Sequence, residues 1–246
     1  METIYPIKPE MSQTDFPPRL WSGLNGWVSL FVFIVLYFGL SLGAGFLLNE
    51  NVDPSWITFS ALISNALACF GSVLVVNWFF KNHSLYQIGF RKSAMVWILI
   101  ALSVGVGLMI LRALLAGLIL LIFPSLMEGT EILQEAFITN NTNLLSQIST
   151  LLLGGVIIPI GEELFFRGFL HNWLRNRLAM WPAILISAFI FSAFHLIPLQ
   201  ALLVFPMGVM TAWLYEKSHS LTAPIVLHII NNSVALSLTI VASYFI

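Results

Sequence analysis

Seven apolar runs occupy most of this chain, and they limit what it can fold into more than any other feature. They lie near Trp27–Leu48, Trp56–Phe80, Met95–Phe123, Leu145–Trp173, Pro182–Ile197, Ala201–Tyr215 and Leu221–Phe245. A helix needs about 20 apolar residues to cross a hydrocarbon core about 30 Å thick. The runs are continuous rather than alternating, so membrane helices are expected and a barrel is not. Of the 246 residues, 59% are hydrophobic and 9% charged, against roughly 25% charged in a soluble domain. Ten Lys and Arg with eleven Asp and Glu cannot cover a soluble protein of this size. The expected fold is all-α, a polytopic membrane helical bundle of about seven transmembrane helices. A net charge of −1 gives no broad field for nucleic acid. The single cysteine, Cys69, excludes an intrachain disulfide framework.

Charge orients the spans. If they alternate, one side receives the N-terminal arm and the loops 81–94, 174–181 and 216–220. Those segments carry Lys8, Arg19, Lys81, Arg91, Lys92, Arg175, Arg177 and Lys217. The other side receives 49–55 and 124–144, with Glu50, Asp53, Glu128, Glu131 and Glu135 and no Lys or Arg. The positive-inside rule then puts the N-terminus in the cytoplasm and the C-terminus outside, in what is expected to be a prokaryotic plasma membrane. Residues 1–26 read as a short cytoplasmic arm rather than a cleaved signal, because Glu2, Glu10, Asp15 and Pro17-Pro18 break any apolar run. Residues 27–144 hold three helices and their loops. Asn140-Asn141-Thr142 fits the glycosylation acceptor pattern on the outer side.

Ionisable side chains inside the spans cost at least about 2.5–3.5 kcal/mol each at a helix centre, so each needs a reason. They gather in the last third: Glu162, Glu163 and Arg167 in the fourth span, His195 in the fifth, His228 and Asn232 in the last. Glu163 and Arg167 stand four apart with the acid first, which suits an ion pair along one helix face. Glu162 points about 100° away from Glu163 and is left to face a cavity. Phe191 shares a face with His195, and His228 with Asn232. A free carboxylate, two imidazoles and a carboxamide can together deprotonate a water and stabilise an oxyanion. Taken singly these residues have plainer readings. Glu-Glu-Arg can be a structural ion network, and a lone His or Asn can be interhelical glue. Six of them within one stretch favour a site.

Glu-Glu-x-x-x-Arg, then Phe-x-x-x-His, then His-x-x-x-Asn on successive membrane helices resembles the CAAX prenyl protease 2 family. That group is also called the CPBP or Abi family of intramembrane proteases and includes bacteriocin-processing and self-immunity proteins. The resemblance covers roughly residues 145–246, which it marks as a catalytic helical core. It implies an intramembrane endopeptidase acting on a membrane-associated or lipidated peptide. By the same resemblance Glu162 activates water, and His195 positions that water or binds a divalent ion. His228 and Asn232 line the opposite wall to stabilise the oxyanion or complete an ion site. Glu163 and Arg167 set the direction of Glu162, while Phe191 packs beside His195.

The family is commonly labelled a metalloprotease, yet the chain lacks H-E-x-x-H. Glu162, His195 and His228 could supply three ligands to a metal such as zinc; Glu162 with His195 could equally activate water alone. A non-catalytic immunity or regulatory protein is the alternative, and a proton-coupled transporter a more distant one. The bilayer and a peptide or protein substrate are the expected partners; the oligomeric state is left open.

Remaining expectations concern depth and packing. Glu162 and His228 favour a site in the cytoplasmic half, whereas a simple crossing carries His195 outward. A buried, shallow turn at Ile197-Pro198-Leu199-Gln200, with Pro198 ending the fifth helix, would bring it back. Gly154-Gly155, Pro159 and Gly161 suggest a kink in the fourth helix, giving either substrate room or close packing. Arg112 lies within the third span and could meet a carboxylate, a lipid phosphate or a glutamate. His83, His171 and His219 are expected to be solvated near the cytoplasmic loops, and Trp27, Trp56 and Trp181 to sit near span ends.

Overall fold

The computed structural model describes residues 23–47, 54–80, 88–127 and 143–245. These form seven helices and no strand, an all-α membrane bundle. They are α1 (Gly23–Leu47), α2 (Pro54–Phe80), α3 (Met95–Ile122), α4 (Leu144–Arg175), α5 (Met180–Ala193), α6 (Pro198–Ser218) and α7 (Thr222–Ala242). Helices α1, α3, α4, α6 and α7 contain stretches long and apolar enough to cross a membrane. The arm before Gly23, Glu50, Asp53, Lys81, His83, Glu128, Glu131, Glu135 and Asn140-Asn141-Thr142 lie outside the described residues.

Apolar side chains cover the outside as well as the inside: Phe31, Leu74, Leu114, Leu121 and Leu238 are all exposed. Such a surface suits a lipid solvent, and inside it the fold must satisfy its own backbone polar groups. Trp27, Trp56 and Trp181 are exposed as expected. Trp27 also meets the edge of Trp173 at 5.1 Å, tying α1 to α4. The centre is aromatic, with Phe33 stacked on Phe165 at 4.1 Å and Phe166 edge-on to Phe191 at 5.0 Å.

Hydrogen bonds between loops support the alternation of spans. Arg91 Nε donates to His219 O (2.6 Å) and Tyr215 Oη to Ile88 O (2.9 Å), so the α2–α3 and α6–α7 connections share one end. At the other end Gln147 Nε2 donates to Tyr244 Oη (2.8 Å), joining the start of α4 to the end of α7.

The fourth helix is not a regular α-helix. It opens on Asn143, whose Oδ1 accepts the Ser146 amide at 2.8 Å. Leu153–Ile157 then form a π-helical turn. Pro159 has no N–H to give to Gly155 O, and the Ile158 amide reaches back five residues to Leu153 O. The carbonyls of Gly154 and Gly155 are thereby freed from their α-helical donors. Helix α7 satisfies them, Asn232 Nδ2 donating to Gly154 O (3.3 Å) and Ser233 Oγ to Gly155 O (3.2 Å). A Cβ on Gly155 would stand 2.8 Å from Ser233 Oγ, so glycine is what allows this approach. A second π turn, Phe166–His171, follows the acidic pair.

Two expectations change here. Pro198 does not end α5, which stops at Ala193; it occupies the first turn of α6, where a missing N–H costs nothing. The chain reverses between them through Leu196, which takes the left-handed conformation at φ 57°. The turn is also not uniformly buried: Leu199 is 3% exposed, whereas Pro198 is exposed. The 14 residues of α5 rise only about 21 Å, short of the roughly 30 Å core.

Candidate active site

Helix α4 presents Glu162 and Glu163 in different directions, as their 100° separation requires. Glu163 is fully buried and turns inward. Its Oε1 pairs with Arg167 Nη1 at 3.1 Å and accepts from His228 Nδ1 at 2.8 Å. Arg167 is 1% exposed and is held from two further sides. Its Nη2 donates to Gly208 O (3.1 Å), and its guanidinium lies 4.5 Å over the Phe191 ring. A cation so deep is tolerated because a carboxylate, a carbonyl and a π-face surround it.

Glu162 faces the other way, onto a cavity of about 180 Å³. Asn65, His195, Tyr37 and Gln200 supply the other polar lining, and Phe33, Phe166, Phe191 and Phe194 the apolar lining. One carboxylate oxygen receives Asn65 Nδ2 at 3.4 Å, and the other stands 3.4 Å from His228 Nε2. Cys69 Sγ contacts Asn65 Oδ1 at 3.6 Å, which fixes the amide so that its NH₂ faces Glu162. Close packing of α2 on α4 makes this reach possible: a Cβ on Gly161 would meet Phe70 at 2.9 Å and Cys69 Cβ at 3.0 Å.

His195 follows the end of α5. Its Nδ1 contacts Phe191 O at 3.3 Å, and its ring meets the Phe191 edge at 5.3 Å. With Nδ1–H donating to that carbonyl, the Nε2 lone pair is left for the cavity. Tyr37 Oη donates to Phe194 O (3.1 Å), tying α1 to the same turn. Gln200, on the first turn of α6, has no hydrogen-bond partner among the described residues.

Glu162 and His195 therefore border one space, with His228 immediately behind the carboxylate. Two expected wall residues depart from expectation. His228 is 1% exposed and does not line the cavity, because both ring nitrogens point at the glutamates. Asn232 does not line it either; its amide is committed to the carbonyl freed by the π turn. Asn65 and Gln200 were not singled out in the sequence. Each is one amide in an apolar run, and only the fold brings them to Glu162.

His171 is a correction of another kind. It is fully buried, not solvated, because α4 runs on to Arg175 and packs there against α5 and α6. Its Nδ1 lies 3.2 Å from Ser187 Oγ and its Nε2 2.7 Å from Glu216 Oε1, which Arg175 also meets at 2.5 Å. Ser187 Oγ donates to Ile184 O (3.0 Å), and the side chain is buried. The order Ser-His-Glu thus forms a clamp rather than a nucleophile. Arg112 borders a narrow cleft with Leu203, Pro206 and Asn231 and has no ion-pair partner among the described residues.

A catalytic zinc site takes three protein ligands. Among the described residues no three His, Cys, Asp or Glu converge as such a set. Glu162 and His228 present two donors, and His228 Nδ1 is committed to Glu163.

Residues 144–234 match the family model described as Rce1-like, type II CAAX prenyl endopeptidase. No curated protein and no solved structure matches the chain. The matched segment holds α4, α5, α6 and the first half of α7, and with them Glu162, Glu163, Arg167, His195, His228 and Asn232; Asn65 lies outside it.

Proposed function

We propose that this chain, whose residues 144–234 match the model of Rce1-like, type II CAAX prenyl endopeptidases, is an intramembrane endopeptidase whose nucleophile is a water activated by Glu162. The observation that carries this reading is the position of Glu162: one carboxylate edge on a cavity shared with His195, the rest backed by Asn65 and His228.

A water in the cavity hydrogen-bonds to Glu162 and to His195 Nε2. As it attacks the peptide carbonyl, Glu162 takes its proton, a step that a positioned base accelerates about 10²–10⁴-fold. The developing oxyanion needs preorganised N–H donors. The carboxamides of Gln200 and Asn65 are those that border the cavity. Glu162 then returns the proton to the leaving amine. Behind it Arg167, Glu163 and His228 form a chain that ends with His228 Nε2 3.4 Å from the Glu162 carboxylate. These three are positioning residues. Asn232 positions as well, by keeping α7 against the π turn of α4.

The proposed substrate is a membrane-associated peptide whose apolar side chain enters among Phe33, Phe166, Phe191 and Phe194. The basic end of the bundle is taken as cytoplasmic. A polar network serving structure alone would have no need of an opening beside Glu162.

The test is cleavage of a membrane-peptide library by wild type, Glu162→Ala, His195→Ala and Gln200→Ala in matched nanodiscs. The first two should lose at least a hundredfold and the third at least tenfold, all retaining wild-type helicity. Cleavage surviving in Glu162→Ala would contradict the role given to this carboxylate, and a phenotype retained without any cleavage would support the non-catalytic alternative instead.

A further inference from the structure

The end of the bundle that carries the α2–α3 and α6–α7 connections holds a second, open cleft of about 770 Å³. It is bordered by Phe90, Arg91, Lys92, Ser93, Ile98 and Thr222. Its lining contains two cations and no acid. The floor is rigid. Ser220 Oγ and Thr222 Oγ1 both donate to Arg91 O (2.5 and 2.8 Å), Arg91 Nε to His219 O (2.6 Å), and the Leu221 amide to Gly89 O (2.7 Å). Gly89 makes the turn at φ 97°, where a Cβ would also strike the Tyr215 ring at 2.7 Å. Within the cleft Ser93 Oγ is shielded and has no hydrogen-bond partner among the described residues.

The cleft continues into an apolar surface. Directly below it on α3, Met95, Val96 and Leu99 are exposed, where a bundle in a bilayer meets acyl chains. A ligand that fits both parts carries an anion at one end and hydrocarbon at the other. We propose that this cleft binds the phosphate headgroup of an anionic phospholipid. Arg91 and Lys92 supply the charge, and the acyl chains lie along α3. A preordered loop spends little entropy on holding the headgroup. A free phosphate would satisfy the cations and leave the α3 surface unused.

The full chain should be reconstituted in nanodiscs of phosphatidylcholine with a minor share of phosphatidylglycerol, then released for native mass spectrometry of retained lipid. Wild type should retain phosphatidylglycerol well above its share. Lys92→Gln should weaken that retention about fivefold, the worth of one basic residue near a membrane surface. Lys217→Gln, also exposed at the same end, should leave it unchanged, and both variants should keep wild-type helicity. Equal retention by all three chains would overturn the proposal. Full displacement of the lipid by glycerol phosphate would do the same, by showing that the acyl contacts contribute nothing.

Discussion

Glu163 and His228 meet at 2.8 Å between α4 and α7, with neither side chain exposed by more than 1%. The same imidazole faces Glu162, so the buried acid governs the cavity-facing acid through a single ring. Replacing Glu163 with Gln preserves shape and removes the charge that orients His228. The expected result is a kcat about 10- to 100-fold lower with KM nearly unchanged, since substrate does not touch Glu163. Glu163→Ala should also cost about 3–5 kcal/mol of stability, because Arg167 is left buried without its carboxylate. Single-turnover kinetics and thermal unfolding of the same preparations check both parts.

Asn65 reaches Glu162 from α2, outside the family-matched segment. Asn65→Ala should lower kcat about tenfold or more while the fold persists, and Asn65→Asp should be worse, since it sets a second carboxylate against Glu162. Steady-state kinetics on the two variants separates loss of a donor from gain of a repelling charge.

Pro159 makes the π turn that frees Gly154 O for Asn232. Pro159→Ala restores an amide donor and favours a regular helix through 154–158. Asn232 then loses its acceptor, and Glu162 rotates relative to His195. Activity should fall at least tenfold even though an alanine is a better helix former. Combining Pro159→Ala with Asn232→Ala should cost little more than either alone, a non-additivity measurable as a double-mutant cycle.

Chelation provides a further check. With no three converging donors among the described residues, cleavage should stay within twofold of its initial rate after prolonged treatment with a strong chelator. A loss restored by added zinc would show that the donors rearrange around an ion.

Much of the fold was legible because apolar run length in a membrane protein is close to a direct reading of its helices. The ends of α3 were placed to within one residue. The fifth span was misjudged at its far end, since the apolar sequence continues through the reversal at Leu196 and hydropathy does not register a left-handed turn. In the site, the helical period separated Glu162 from Glu163 and paired Glu163 with Arg167 correctly. Asn232 was read as facing the site because its pairing with His228 at four-residue spacing is blind to what the neighbouring helix offers. A carbonyl freed by a proline five residues along α4 took its amide instead. His171 was assigned to water because the span was ended near Trp173, before the turn that buries it.

The central claim is that the Glu162 carboxylate removes a proton from water, and single-turnover cleavage by Glu162→Gln tests it most directly. Gln keeps the size of the side chain and an acceptor for Asn65 but is no base. The expected result is a chemical step at least a hundredfold slower with substrate binding unchanged. A rate within a few-fold of wild type would contradict the account.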